Sequence, residues 1–275
     1  MASAIQRQEK NTIVLTFNIS VADVAPVREK LVDSAVANAE VKGFRKGKAP
    51  RQKVEDQLDK VKLNEEILKE VLPKTYTDAV REHNVNPIVN PQIEIISMGD
   101  GKDWQFKATT CEKPDVKLND YKDKVKTVTA NSKIVIPGKE PEQPKAEDIF
   151  NALLEGTTVE VPDFVIDAEV DRLLAHTLNE IKTLGLTLEQ YLATTGKTPQ
   201  SLREDYRKQA ERDLKLEFVL EAIADTENIT IGQAEIDEAI KQIKEPKEQE
   251  AVKANPYMLA QILRRQKTLD FVRNL

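Results

Sequence analysis

Two periods of apolar residues run along this chain, and the point where one gives way to the other divides it. Near the start, Ile13, Leu15, Phe17 and Ile19 alternate with Thr12, Val14, Thr16 and Asn18, which predicts a half-buried strand. Asp23 then caps a predicted helix over "VAPVREKLVDSAVANAE", with Val27, Leu31, Ser34 and Ala35 on one face. Helical spacing resumes after Pro50 and carries Ile67, Val71, Tyr76 and Val80, with Pro73 expected to bend or restart the helix. The alternation returns in "PQIEIISMG" and in "DWQFKATTCE" around Trp104, Phe106 and Ala108, and "GDGK" between them reads as a hairpin turn. Strand, helices and hairpin in that order predict an α+β domain, an antiparallel sheet packed with helices, over residues 1–115.

From Lys117 to Lys145 neither period holds. One strand-like piece, Lys133 to Ile136, precedes three prolines and a glycine within eight residues, so residues 116–145 read as a proline-stiffened linker. Everything from 146 to 275 reads as helix. A short helix ends at Gly156. A second starts at Pro162, carries Ile166, Val170, Leu173, Leu174, Leu178 and Ile181, and stops at Gly185. Thr187 and Thr230 have capping-box spacing, and Thr198-Pro199 opens a long helix. A last helix follows Pro256 with Met258, Leu259, Ile262, Leu263, Leu269 and Val272. The fold class is therefore an α+β N-terminal domain followed by an all-α C-terminal domain.

Charge sharpens the division. Residues 1–115 hold 18 bases and 18 acids, whereas residues 146–275 hold 16 bases and 25 acids, a net of −9. An anionic partner should meet the first half. A single cysteine, Cys111, excludes an internal disulfide framework and a cysteine-built zinc site. The N-terminus lacks a signal-peptide pattern, and no stretch approaches the ~20 apolar residues of a membrane span, which predicts a cytoplasmic protein without membrane contact.

Catalytic chemistry is sparse. His83 lies in a polar helix end and His176 in "LLAHTL", expected beside the core, and neither has partners at metal spacing. Cys111 reads as a small apolar filler. Neither nucleotide-binding glycine pattern occurs. The expectation is a protein that is not an enzyme and needs no cofactor.

One connection stands out. From Val41 to Val54 the chain holds Lys42, Arg45, Lys46, Lys48, Arg51 and Lys53 and no acid, with Phe44 among them, glycines at 43 and 47 and a proline at 50. On composition such a loop is either a solvated turn with Phe44 folded back or a docking tip whose cations neutralise phosphates. The aromatic flanked by Arg45 and Lys46 favours docking.

Those residues carry a resemblance. "GFRKGKAP" is similar to the G-F-R-x-G-x-x-P signature of the trigger factor family of ribosome-associated chaperones, and "VPDFVIDAEVDRLL" resembles that family's V-P-x-x-x-[IV]-x-x-E-[IV]-x-x-L pattern. The resemblance covers about residues 10–115 and 146–270. It implies that residues 1–115 bind the large ribosomal subunit beside the tunnel exit, touching protein and RNA. Phe44, Arg45 and Lys46 would carry the docking, Gly43, Gly47 and Pro50 would shape the loop, and Lys42 and Lys48 would assist. It implies that residues 146–275 form a helical domain with arms that shields nascent and unfolded polypeptides without ATP. Phe164, Met258, Leu259, Ile262 and Leu263 are its candidate contact residues, although for each the same spacing suits an ordinary core position. Self-association of the free protein as a homodimer is compatible with it. Family members carry a prolyl isomerase domain where this chain has only the segment 116–145. About thirty residues cannot fold such a domain, so isomerase activity is expected to be missing. Two rival readings remain: a nucleic-acid-binding module using the loop and Trp104, and an extracytoplasmic helical holdase.

Overall fold

The computed structural model describes residues 3–41, 44–99, 101–132, 145–243 and 245–275. They form two compact units, residues 1–113 and 114–275.

The first unit is built on a four-stranded antiparallel sheet, β1 (Ser3–Arg7), β2 (Thr12–Ile19), β3 (Gln92–Ser97) and β4 (Trp104–Cys111), in the order β1-β2-β4-β3. The predicted alternation is realised in β2 and β4. Phe17 pairs with Phe106, Leu15 with Ala108 and Ile19 with Trp104, so these side chains share one face, while Val14 and Cys111 are buried on the other, where the sequence pattern places Val14 among polar residues. The rings of Phe17 and Phe106 stack with centroids 6.1 Å apart. Strand β1 escaped the sequence reading because "SAIQR" is short and mostly exposed; its pairing with β2 supplies the order that its own pattern lacks.

Two long helices cover the buried face, α1 (Val21–Asn38) and α3 (Lys60–Glu82), with a one-turn α2 (Arg51–Glu55) between them. Ser20, not Asp23, is the cap of α1: its hydroxyl accepts the Asp23 N–H and donates to the Asp23 carboxylate at 2.6 Å. The buried stripe of α1 runs through Val24 and Val32 with Val27 and Leu31 beside it, and Ser34 faces solvent. Helix α3 continues through Pro73. The Thr77 hydroxyl donates to the Pro73 carbonyl at 2.8 Å in the turn that follows.

The second unit begins earlier than the sequence suggests. Val116–Lys117 forms β5, which pairs with β6 (Thr158–Val159), and Tyr121–Ser132 forms a helix, α4, packed on α5 (Ala146–Glu155). The linker reading of 116–145 is thus corrected over its first half. Tyr121, Val125 and Thr129 are buried at helical spacing, a stripe hidden among lysines and β-branched residues. Contact with the end of α5 is close: a Cβ on Gly156 would stand 2.6 Å from the Tyr121 Cα. Residues 133–144, including the strand-like Lys133 to Ile136, lie outside the described residues. The reading of 146–275 as helix alone missed β6, whose two residues carry no period of their own.

Around the long helix α8 (Pro199–Thr226) pack α5, α6 (Asp163–Thr183) and the terminal α11 (Pro256–Arg273), with α7 (Leu188–Thr195), α9 (Gln233–Gln242) and α10 (Pro246–Ala254) completing the unit. The cap predicted at Thr198 is present, its hydroxyl accepting the Ser201 N–H at 3.1 Å, as is the capping box at Thr187. At α9 the cap is Gly232, not Thr230; the Gly232 N–H donates to Glu235 Oε2 at 2.8 Å. Pro162 is the cap of α6, one residue ahead of its first turn. Arg264 ties α11 to the turn after α8, donating to the Ile229 carbonyl at 2.8 Å and to Asp225 at 2.6 Å.

Candidate functional site

The tip of the first unit is the connection between α1 and α2. Its backbone is fixed by short-range bonds. The Phe44 N–H donates to the Val41 carbonyl at 2.9 Å, the Lys48 N–H to the Arg45 carbonyl at 2.9 Å, and the Gly47 N–H reaches back to the Ala39 carbonyl at 3.1 Å. Gly47 has φ +72°, and a Cβ there would lie 2.7 Å from the Ala37 carbonyl oxygen. Both facts require glycine at 47, one through backbone angle and one through space. Pro50 caps α2, and Ala49 is buried beside it, so the loop exit is anchored.

This backbone pushes side chains outward. Phe44 is 39% exposed, and the Lys53 ammonium sits 5.2 Å from its ring centroid. Arg45, Lys46, Lys48 and Pro50 are exposed. Lys46 is 3.6 Å from Glu40, a loose surface pair, and Arg45 and Lys48 have no ion pair among the described residues. Arg51 is different: it binds Asp33 of α1 at 2.8 Å and Glu55 at 2.7 Å, so it braces the helices instead of serving the tip. Lys42 and Gly43 lie outside the described residues. What sequence reading missed is the brace of Lys53 on Phe44, although an aromatic nine residues before a lysine across a turn is a signal too weak to select.

Trp104, invoked by the nucleic-acid reading, is not available to stack on a base. It is 3% exposed, and its indole donates to the Gly99 carbonyl at 3.0 Å, closing the hairpin between β3 and β4. Cys111 is buried, and burial pushes its thiol up to about 11, which keeps it protonated and unreactive. His83 ends α3 and its Nε2 lies 2.9 Å from the Ser3 hydroxyl. His176 stands on the solvent side of α6 near Glu180, not beside the core. Among the described residues no group of His, Cys, Asp and Glu could hold a metal ion. No described helix is long and apolar enough to cross a membrane.

In the second unit the five candidate contact residues separate. Met258 and Ile262 are 66% and 60% exposed on α11, beside Tyr257, so they are not core positions. Leu259 and Leu263 are half-buried on the same helix, and Phe164 is half-buried in the first turn of α6 next to buried Val165 and Ile166. A second exposed apolar set was not foreseen. Leu178, Leu184, Leu186 and Leu188 surround the α6–α7 turn, with Leu184 the most open at 74%. Leucines on both sides of Gly185, in a turn where polar residues are expected, were the available sign.

An α+β unit with a basic aromatic tip, followed by a helical unit that exposes leucine, isoleucine and methionine, is a combination this chain shares with a class of bacterial chaperones. Bacterial trigger factor models match almost end to end, the N-terminal one over residues 1–140 and the C-terminal one over 138–275. This chain belongs to the trigger factor family. The trigger factor of Carboxydothermus hydrogenoformans is 25% identical over 412 positions, covering 96% of each chain; that alignment exceeds these 275 residues by 137, so the relative carries a long stretch without a counterpart here. That of Lactiplantibacillus plantarum is 37% identical over 123 residues, which is 45% of this chain and 28% of the relative. A solved structure described as "Promiscuous Substrate Recognition in Folding and Assembly Activities of the Trigger Factor Chaperone" shares the fold, with a TM-score of 0.63 over 98% of this chain and 99% of the other at 14% identity.

Proposed function

We propose that this chain is an ATP-independent cytoplasmic chaperone that docks at the ribosomal tunnel exit through the Gly43–Pro50 loop and shields hydrophobic stretches of nascent or unfolded polypeptides. Residues 1–115 are the ribosome-binding part, and the helical unit is the part that receives clients. The single observation that carries this reading is the tip itself: a connection whose exit is shaped by Gly47 and Pro50 and which presents Phe44, Arg45, Lys46 and Lys48 to solvent. Clustered cations neutralise RNA phosphates, and an aromatic held among them can enter a protein pocket beside that RNA. The exposed apolar groups around Leu184 and Ile262 then supply weak, adaptable contacts to an emerging chain. Weak contacts release without nucleotide, and tethering at the tunnel compensates by raising local concentration. The words describing the solved relative, recognition that is promiscuous, agree with such contacts. The two matched regions meet at residues 138–140, which supports a chaperone without isomerase activity.

Cosedimentation with vacant ribosomes tests the reading. The protein should pellet with the large subunit, and a Phe44→Ala, Arg45→Ala, Lys46→Ala variant should stay in the supernatant. Equal pelleting of both would overturn docking by this loop. Binding to isolated RNA without ribosomal protein would favour a nucleic-acid module instead.

A further inference from the structure

A surface cleft of about 410 Å³ opens in the helical unit between α8 and the chain that leaves α5 through β6. Its floor is Leu154, Thr157, Thr158 and Val159. Its wall is a row of cations on α8: Lys208, Arg212 and Lys215. One carboxylate, Glu211, shares the lining and pairs with Lys215 at 2.7 Å. Arg212 is bound by Asn151 at 3.0 Å and loosely by Glu147 at 3.5 Å, both on α5, while Lys208 has no ion pair among the described residues. Positive lining is unexpected here, because residues 146–275 carry a net charge of −9.

We propose that this cleft binds an extended, acidic segment of polypeptide, with carboxylates along its length meeting Lys208, Arg212 and Lys215. Positions 208, 212 and 215 recur at helical spacing on one face and rise along α8 by steps of roughly 6 and 4.5 Å. An extended chain presents same-face side chains every ~6.8 Å, a wider step than the row's, which the long Lys208 and Lys215 side chains at its two ends span by splaying outward. A compact anion suits it less well, because the cations are strung out instead of converging and the cleft is not built at a helix N-terminus. Single-stranded nucleic acid suits it less well too: no aromatic lines the cleft to stack a base, and the unit's net charge opposes a polyanion. The floor favours a polypeptide. Leu154 and Val159 line it beside the cations, so apolar side chains between the carboxylates find contact there.

This inference rests on the reading that the helical unit receives unfolded polypeptide, and it adds acidic segments to the apolar ones as clients. The site is distinct from the exposed leucines of the α6–α7 turn and the exposed residues of α11.

The test uses the full chain and a fluorescein-labelled peptide alternating threonine and glutamate, read by anisotropy. Binding should occur, weaken with salt, and vanish for the same peptide with glutamine at each glutamate. Backbone amide resonances of Thr158 and Val159 should shift. Lys208→Glu, at an exposed position, should weaken binding by about two- to fivefold, the scale of a surface charge pair. Equal binding of the glutamine peptide, shifts confined to other residues, or no effect of Lys208→Glu would overturn the proposal. So would tighter binding of inorganic phosphate or of an RNA oligonucleotide in the cleft. Suppression of aggregation of a denatured client, measured in parallel, separates the failures: if it persists while the acidic peptide fails, only this inference falls, and if both fail, the chaperone reading falls with it.

Discussion

Two helix-to-helix turns in this chain use one backbone device to present opposite chemistry. Gly47, between α1 and α2, and Gly185, between α6 and α7, both have φ +72°. Around Gly47 stand exposed cations and Phe44; around Gly185 stand Leu184, Leu186 and Leu188. Their surroundings differ as well. A Cβ at 47 would strike the Ala37 carbonyl, whereas a Cβ at 185 would meet nothing within 4 Å. The first turn is packed against its own helix, so its shape is specified. The second is open, so only its composition is specified. That contrast suits the proposed division, in which the tip fits one surface and the other end accepts many sequences.

The largest expected effect breaks the comparison from the basic side. Replacing Phe44, Arg45 and Lys46 together with alanine should reduce ribosome affinity by more than about tenfold at moderate salt while leaving client protection in free solution unchanged. The opposite break, Leu184→Ser with Leu186→Ser and Leu188→Ser, should leave ribosome pelleting intact. It should weaken suppression of client aggregation by roughly fivefold, in line with the apolar area removed. A gentler change sharpens the contrast. Gly185→Ala should cost about 1 kcal/mol, from backbone angle alone, read by hydrogen exchange in α6. Gly47→Ala should cost about 2–3 kcal/mol, because the overlap with Ala37 adds to the angle, and should lower ribosome binding as well. Fluorescence of Trp104, the only tryptophan and buried in the first unit, reports that unfolding.

The smallest effect concerns acid. The Asn86 N–H, and after it the Arg7 guanidinium, hold the Glu112 carboxylate below its ordinary value. A depressed carboxylate contributes stability above the ordinary value of about 4.3 and loses it as pH falls through the lower folded-state value. Trp104-monitored unfolding of the first unit should therefore weaken below about pH 4, and Glu112→Gln should flatten that limb.

Where the sequence was legible, one face of an element was buried and its period was long enough to read. Strands β2 and β4, helices α1, α3 and α6, and the caps at Thr187 and Thr198 are of that kind. Strands β1, β5 and β6 were not legible, because five- and two-residue strands take their order from partners distant in sequence. Helix α4 was hidden because the buried positions described in it, Tyr121, Val125 and Thr129, sit among lysines, and proline-rich sequence follows. At the tip, composition alone marked the loop, yet it could not separate Arg51, which braces α1, from Arg45, which faces solvent. Helical spacing likewise gave Met258 and Ile262 the same standing as core residues; only packing distinguishes an exposed stripe from a buried one. Leu178 was placed in that buried stripe of α6 and is in fact 45% exposed.

The most direct measurement joins the two turns. A photo-crosslinker placed in a nascent chain stalled on the ribosome is irradiated with this protein, either unchanged or carrying the Phe44, Arg45 and Lys46 alanine substitutions. The expected result is a crosslink to the helical unit, near Leu184 or Ile262, that disappears with the tip variant on the ribosome but persists for both proteins with the released chain. Crosslinks of equal strength for the two proteins on the ribosome would contradict the claim that the basic tip brings the apolar ends to the emerging chain.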